Sequence, residues 1–130
     1  MSLDVSPQLL AEAENGEVDP AAFLETVRDS LPYAYNLIDQ LTTELKTGER
    51  EFADNLTPPA SEAERGQLLR ALASDAIRGS LETHFGVRLA FQNCHRVAVF
   101  QSDAQNSDTY HRFTSQRAQI LNQSPALRDC

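Results

Sequence analysis

The chain has 130 residues, 41% of them apolar, and a formal net charge of −8 at pH 7. That length is one ordinary domain with enough apolar residues to fill a core without cross-links, so residues 1–130 read as a single domain. No run approaches the ~20 continuous apolar residues of a membrane span, and an acidic excess is the opposite of the basic footprint of nucleic-acid binders. Neither a membrane nor a nucleic acid is an expected partner.

The N-terminus, MSLDVSPQLLAEAENGE, is acidic where a secretory signal would be basic and then apolar, which points to a cytoplasmic chain. Thiols are kept reduced there, so Cys94 and Cys130 are expected to be free. Charge divides along the chain: residues 1–64 carry 14 acidic and 3 basic side chains, residues 65–130 carry 5 acidic and 8 basic, and all eight basic residues of the second half are Arg. The planar guanidinium fork suits carboxylate and phosphate, so the second half is a candidate anion-binding face. The simpler reading is that the halves complement each other in charge.

In chain order, Ser6-Pro7 is a helix start and Asn15-Gly16 a stop, giving a short peripheral helix within residues 1–16. Asp19-Pro20 repeats the start signal, and Phe23, Leu24, Val27 and Leu31 follow at helical spacing until Pro32, which kinks or restarts the helix. Ala34, Leu37, Ile38, Leu41 and Leu45 form the next apolar stripe, ending at Lys46-Thr47-Gly48. Residues 49–60, with Asp-Asn and Pro-Pro, read as a connecting loop pinned to the core by Phe52 and Leu56.

Ser61-Glu62-Ala63-Glu64 is a capping box. The longest helix is expected to follow, up to Phe85-Gly86, with Leu69, Leu72, Ala73, Ala76, Ile77, Ser80 and Leu81 along one side. Its small residues Gly66, Ala73, Ala76 and Gly79 would let a second helix approach closely. After Gly86 the period changes to two, which predicts strands at about 87–92 and 96–101 joined by a tight turn at Asn93-Cys94 or forming one bent strand. SDAQNSD is a loop. A last helix over about Thr109 to Asn122, with Tyr110, Phe113, Arg117, Ile120 and Leu121 near one face, leads to a tail at 123–130 in which Ser124-Pro125 can start another turn.

The expected fold is therefore α+β and mainly helical, with four or five helices packed on one β-hairpin. An isolated hairpin is marginal in water, so it must lie on the helices or pair with a second chain, and a homodimer is the expected state.

The specific catalytic motifs are absent: no CxxC pair, HExxH, P-loop, GxSxG or dinucleotide fingerprint. Ser80, His84 and Asp75 resemble a triad only in spacing, since a mid-helix Ser lacks the exposed elbow and oxyanion donors of acyl transfer. Enzymatic activity is not the leading reading. Cys94, His95, His84, His111 and Cys130 are ligand types for zinc or iron, but adjacent strand residues point to opposite faces and the spacing enforces no metal site or other cofactor. Cys94 reads first as a small buried hydrophobe at the contact between hairpin and helices, and second as a thiol site activated by its neighbours.

The leading functional reading is a small acidic adaptor or regulator that is not an enzyme, acts through protein contacts, and binds a small anionic ligand through Arg78, Arg88, Arg96 and His95. The alternative is a thiol- or metal-dependent protein centred on Cys94 and His95. A winged-helix DNA binder matches the order of elements but not the charge.

Overall fold

A computed structural model of the protein describes residues 2–124 and 126. The first three helices follow the expected signals. In α1 (Pro7–Glu14) and α2 (Pro20–Ser30) the Ser6 and Asp19 side chains accept from the Leu9 and Ala22 amides, with Pro at the first helical position. Pro32 restarts the chain as α3 (Pro32–Thr47) after a single non-helical residue, Leu31, which is wholly buried. Leu31 has no side-chain oxygen to cap α3. That task falls to Gln67, whose Oε1 accepts from the Tyr33 and Ala34 amides at 2.7 and 3.2 Å.

The long helix anticipated from Ser61 to Phe85 is two helices, α4 (Glu62–Ala73) and α5 (Asp75–Phe85). The break is at Ser74, whose backbone is extended and whose hydroxyl accepts from the Ile77 amide. A residue that can cap a new helix thus competed successfully with continued helix. The break rotates the buried face. Leu68, Ala71 and Leu72 of α4 and Ile77, Leu81 and Phe85 of α5 point into the core, while Leu69 is half exposed. It also splits the small-residue face: Gly66 and Ala73 border one shallow groove, Ala76 and Gly79 another against α2. Gly86 ends α5 in the left-handed conformation (φ 66°), the usual device for turning a helix into a strand.

The connection at 49–60 contains a short strand, β1 (Phe52–Asp54), that the expected loop did not include. With β2 (Val87–Gln92) and β3 (Arg96–Gln101) it forms an antiparallel sheet in the order β1-β3-β2, so the hairpin has a third strand of its own chain. The turn is also longer than two residues. Gln92 pairs with Arg96, residues 93–95 form the turn, and Asn93 supplies the positive φ (53°). With that register Arg88, Ala90, Gln92, Arg96, Ala98 and Phe100 share one face of the hairpin.

Both faces are covered. Helices α2 to α5 pack Val27, Ile38, Leu45, Leu68, Ile77 and Leu81 against Val87, Leu89, Val97 and Val99. The opposite face, Ala90, Ala98 and Phe100, is closed by Ala104 and Phe113 with Phe52 and Tyr110. Residues 102–108 include a 3₁₀ turn at Ala104–Asn106. The single last helix expected over 109–122 is likewise two, α6 (Asp108–Phe113) and α7 (Gln116–Leu121), because Ser115 caps a new start. Consequently Phe113 and Ala118 are buried and Ile120 is exposed. Leu56 is 80% exposed and does not pin its loop; Phe52 does, stacked on Phe100 at 5.2 Å between ring centroids. No described helix is long and apolar enough to cross a membrane. The turn proposed at Ser124-Pro125 and the thiol of Cys130 lie outside the described residues.

Candidate anion-binding site

The four residues singled out for anion binding divide into two pairs. Arg78 and Arg88 line one pocket of about 390 Å³, together with Leu72, Glu82, the β2 segment Leu89-Ala90-Phe91, Tyr110 and Thr114. His95 and Arg96 line no part of it. They sit at the far end of the hairpin, within the turn and at the start of β3.

Arg88 is carried on β2 and turned towards α6, where its Cζ lies 5.2 Å above the Tyr110 ring. The neighbouring Tyr110 side chain holds its pKa above the ordinary value, and the guanidinium is a permanent cation. Its Nε is buried with no partner among the described residues. Arg78 reaches the pocket from the first turns of α5. Its Nη1 donates to the Leu72 carbonyl at 3.0 Å and its Nη2 pairs with Asp75, a side chain 93% exposed. Such a surface pair is weak and easily exchanged for another acceptor. Glu82 is already engaged: its Oε2 accepts from the Leu89 amide at 2.9 Å. The pocket therefore presents two guanidinium groups and a phenol, with its one carboxylate held by the backbone.

Arg96 is committed elsewhere. Its Nη2 and Nε bond to one oxygen of Asp54 at 2.6 and 2.7 Å, its guanidinium lies 5.1 Å over the Phe113 ring, and both ion-pair partners are largely buried. Gln92 extends the network, with its Oε1 near Arg96 and its Nε2 donating to the Phe113 carbonyl at 2.6 Å. Arg96 and Arg88 share a face of the hairpin, as a longer turn requires, but the width of four residue pairs and the Asp54 pairing separate their roles.

His95 is buried and its Nε2 has no partner among the described residues. Burial, and then the positive charges of Arg65 and Arg96, push its pKa below the ordinary value. Cys94, expected at the helix contact, is instead half-buried at the turn, and it is His95 that points inward. No group of three or more His, Cys, Asp or Glu residues able to hold a metal occurs among the described residues. Of the triad-like residues, His84 bonds to the Tyr35 hydroxyl at 3.2 Å and Ser80 borders the α2–α5 groove.

Tyr110, Thr114 and Glu82 were not selected by sequence patterning. Tyr110 looked like a core position of the last helix, and nothing local signals that α6 folds back over β2. A family model described as NucS shadow ORF matches residues 1–130, the whole sequence. The chain belongs to the NucS shadow ORF family. No curated protein and no solved structure matches this NucS shadow ORF chain. The family's description states no activity, so a functional reading rests on the geometry of the pocket.

Proposed function

We propose that this NucS shadow ORF protein is a binding module, an adaptor or regulator and not an enzyme, that holds a carboxylate or phosphate between Arg78 and Arg88. The observation that carries this reading is the convergence of two guanidinium groups from separate elements, α5 and β2, on one pocket, with the Arg88 Nε buried and without a partner among the described residues. An unpaired buried donor is costly, and a small turn of the Arg88 side chain onto an anion in the pocket would satisfy it with a charge-assisted bond. Binding is favoured over catalysis because Glu82, the one carboxylate of the pocket, is occupied by the Leu89 amide.

The alternative centred on Cys94 and His95 has weaker support, since the inward-facing ring lies near Arg65 and Arg96, whose charges would repel a metal ion. Nucleic acid is also less favoured. The short name of the family begins with KH, and KH modules clamp the backbone of single strands with a Gly-x-x-Gly loop. The five glycines here, at 16, 48, 66, 79 and 86, form no such motif, and the net charge is −8.

The test is an NMR titration of the isotopically labelled protein with inorganic phosphate and with citrate at low salt. Resonances of Arg78, Arg88, Leu89 and Tyr110 should move together, and Arg88→Ala should weaken binding by roughly 10-fold or more, the scale of one charge-assisted hydrogen bond. If neither anion perturbs these residues at millimolar concentration, the reading fails.

A further inference from the structure

The pocket does not sit on one face of the sheet; it wraps around the outer edge of β2. Arg78 and Glu82 come from α5 on the side of the large helical core, whereas Arg88 and Tyr110 lie on the opposite side, over the smaller aromatic core. The strand between them is an outer strand of the described sheet.

Its edge is polar and partly unsatisfied. Leu89 turns its amide away from β3 and towards Glu82, so the Leu89–Val99 pair is not hydrogen-bonded, and β2 joins β3 through Arg88, Ala90 and Gln92. The backbone groups of Val87, Leu89 and Phe91 therefore face outward, in the direction from which a further strand would arrive. Glu82 does for the Leu89 amide what the carbonyl of such a strand would do. Among the described residues no side chain does the same for Phe91.

We propose that this edge takes up an extended acidic peptide as a fourth strand, with one acidic side chain directed to Arg78 and another to Arg88. The inference rests on the reading of the pocket as an anion site and names its occupant. Side chains of a strand alternate between its two faces, so a segment with two consecutive acidic residues places one carboxylate on each side of the sheet, which is how the two arginines are distributed. Main-chain bonds to the outward Leu89 carbonyl and to the Phe91 groups would supply affinity, with Glu82 keeping the Leu89 amide, and the arginines would supply the selectivity for acid. A uniformly charged polyanion fits less well. It would bring a phosphate against Glu82 in the middle of the edge, whereas a peptide brings a neutral backbone there.

The experiment is a calorimetric and NMR titration with the blocked hexapeptide TVDEVT, compared with its isomer TDVEVT, whose acids share one face. Two further versions of TVDEVT carry N-methyl groups on one or the other alternate set of amides. The consecutive-acid peptide should bind with shifts at Leu89 and Phe91. The isomer should bind about 10-fold more weakly, as expected for the loss of one charge-assisted contact, and so should the Arg78→Ala variant. One methylation pattern should abolish binding and the other leave it intact, because only one set of amides faces β2; this comparison needs no protein variant and is independent of folding. Equal binding of both methylated peptides overturns the added strand while leaving the anion site. So does a response to phosphate and citrate without one to the peptide. Silence towards all of them removes both readings. A single-stranded DNA or RNA oligomer that binds the same residues more tightly than the peptide makes nucleic acid the occupant and overturns the inference.

Discussion

Arg96 and His95 stand next to each other and are governed by opposite solutions to burial. Arg96 is satisfied by partners: Asp54 is 2.6 Å away and Gln92 adds a further acceptor. Removing one member of a buried pair strands the other, so Asp54→Ala or Arg96→Ala should each lower the unfolding free energy by about 3–5 kcal/mol, read from urea denaturation. A loss under about 1 kcal/mol would show that water reaches the pair. His95 instead remains neutral. Its folded-state pKa lies below the unfolded value of about 6.5, so between the two the unfolded chain binds a proton that the fold does not. This contribution leaves stability undiminished above about pH 6.5, lowers it as pH falls towards the folded pKa, and levels off below it. His95→Gln should flatten that slope in urea midpoints measured from pH 8 to 5; an unchanged slope would assign it to other groups. Cys94, half-buried beside this ring, should react with a maleimide in the native protein, and modification only on unfolding would contradict its position in the turn.

At the scale of elements, four serines decide where the helices after α3 begin. Ser61 and Ser74 cap α4 and α5, Ser107 and Ser115 cap α6 and α7, each accepting from the amide three residues on. The first was legible as a capping box. Ser74 and Ser115 were not, because each interrupts an apolar repeat that reads as continuous. Ser74→Ala should cost about 1 kcal/mol. Gly86→Ala should cost a similar amount through backbone strain alone: its φ is 66° and the space around an added Cβ is open. Thermal melts of the two variants test both values, and a stabilised Gly86→Ala would reject the strain argument. The two strands of the hairpin were legible at about 87–92 and 96–101, though not the length of the turn between them, since a change from helical period to alternation after Gly86 is a strong local signal. Strand β1 was not, because three residues followed by Asn, Pro and Pro carry no periodicity. Asn55 shows why it pairs nonetheless: its side chain donates to the His95 carbonyl and accepts from the Val97 amide at 2.7 and 2.8 Å, extending the ladder where backbone pairing ends.

Across the molecule the sheet is the part most completely enclosed, with β3 between two strands and under two cores, five of its six residues buried. Helix α1 is the opposite, with Leu9 its single buried residue. Amide hydrogen exchange should accordingly be slowest in β3, close to the global unfolding free energy, and α1 should exchange through local opening well below it. Uniform protection would mean that the fold opens only as a unit. The third strand and the covering of both faces also answer the need from which self-association was inferred: the hairpin finds its partners within its own chain.

The sequence by itself determined the class of the fold, the first three helices, the two hairpin strands and the concentration of arginine in the second half, because caps, stop signals and periodicity act over a few residues and survive in any context. Only the tertiary structure decided which arginines belong together. Arg88 and Arg96 are eight residues apart, yet Asp54, from a strand without a sequence signature, pairs with Arg96, while Arg78 of α5 lines one pocket with Arg88. Tyr110 joins them because α6 folds over the second face of the sheet, a face that looked merely small and apolar in the alternation of Ala90 and Ala98. Pairing of charges and the choice of face depend on contacts between residues distant in the chain, and those contacts leave no pattern along it.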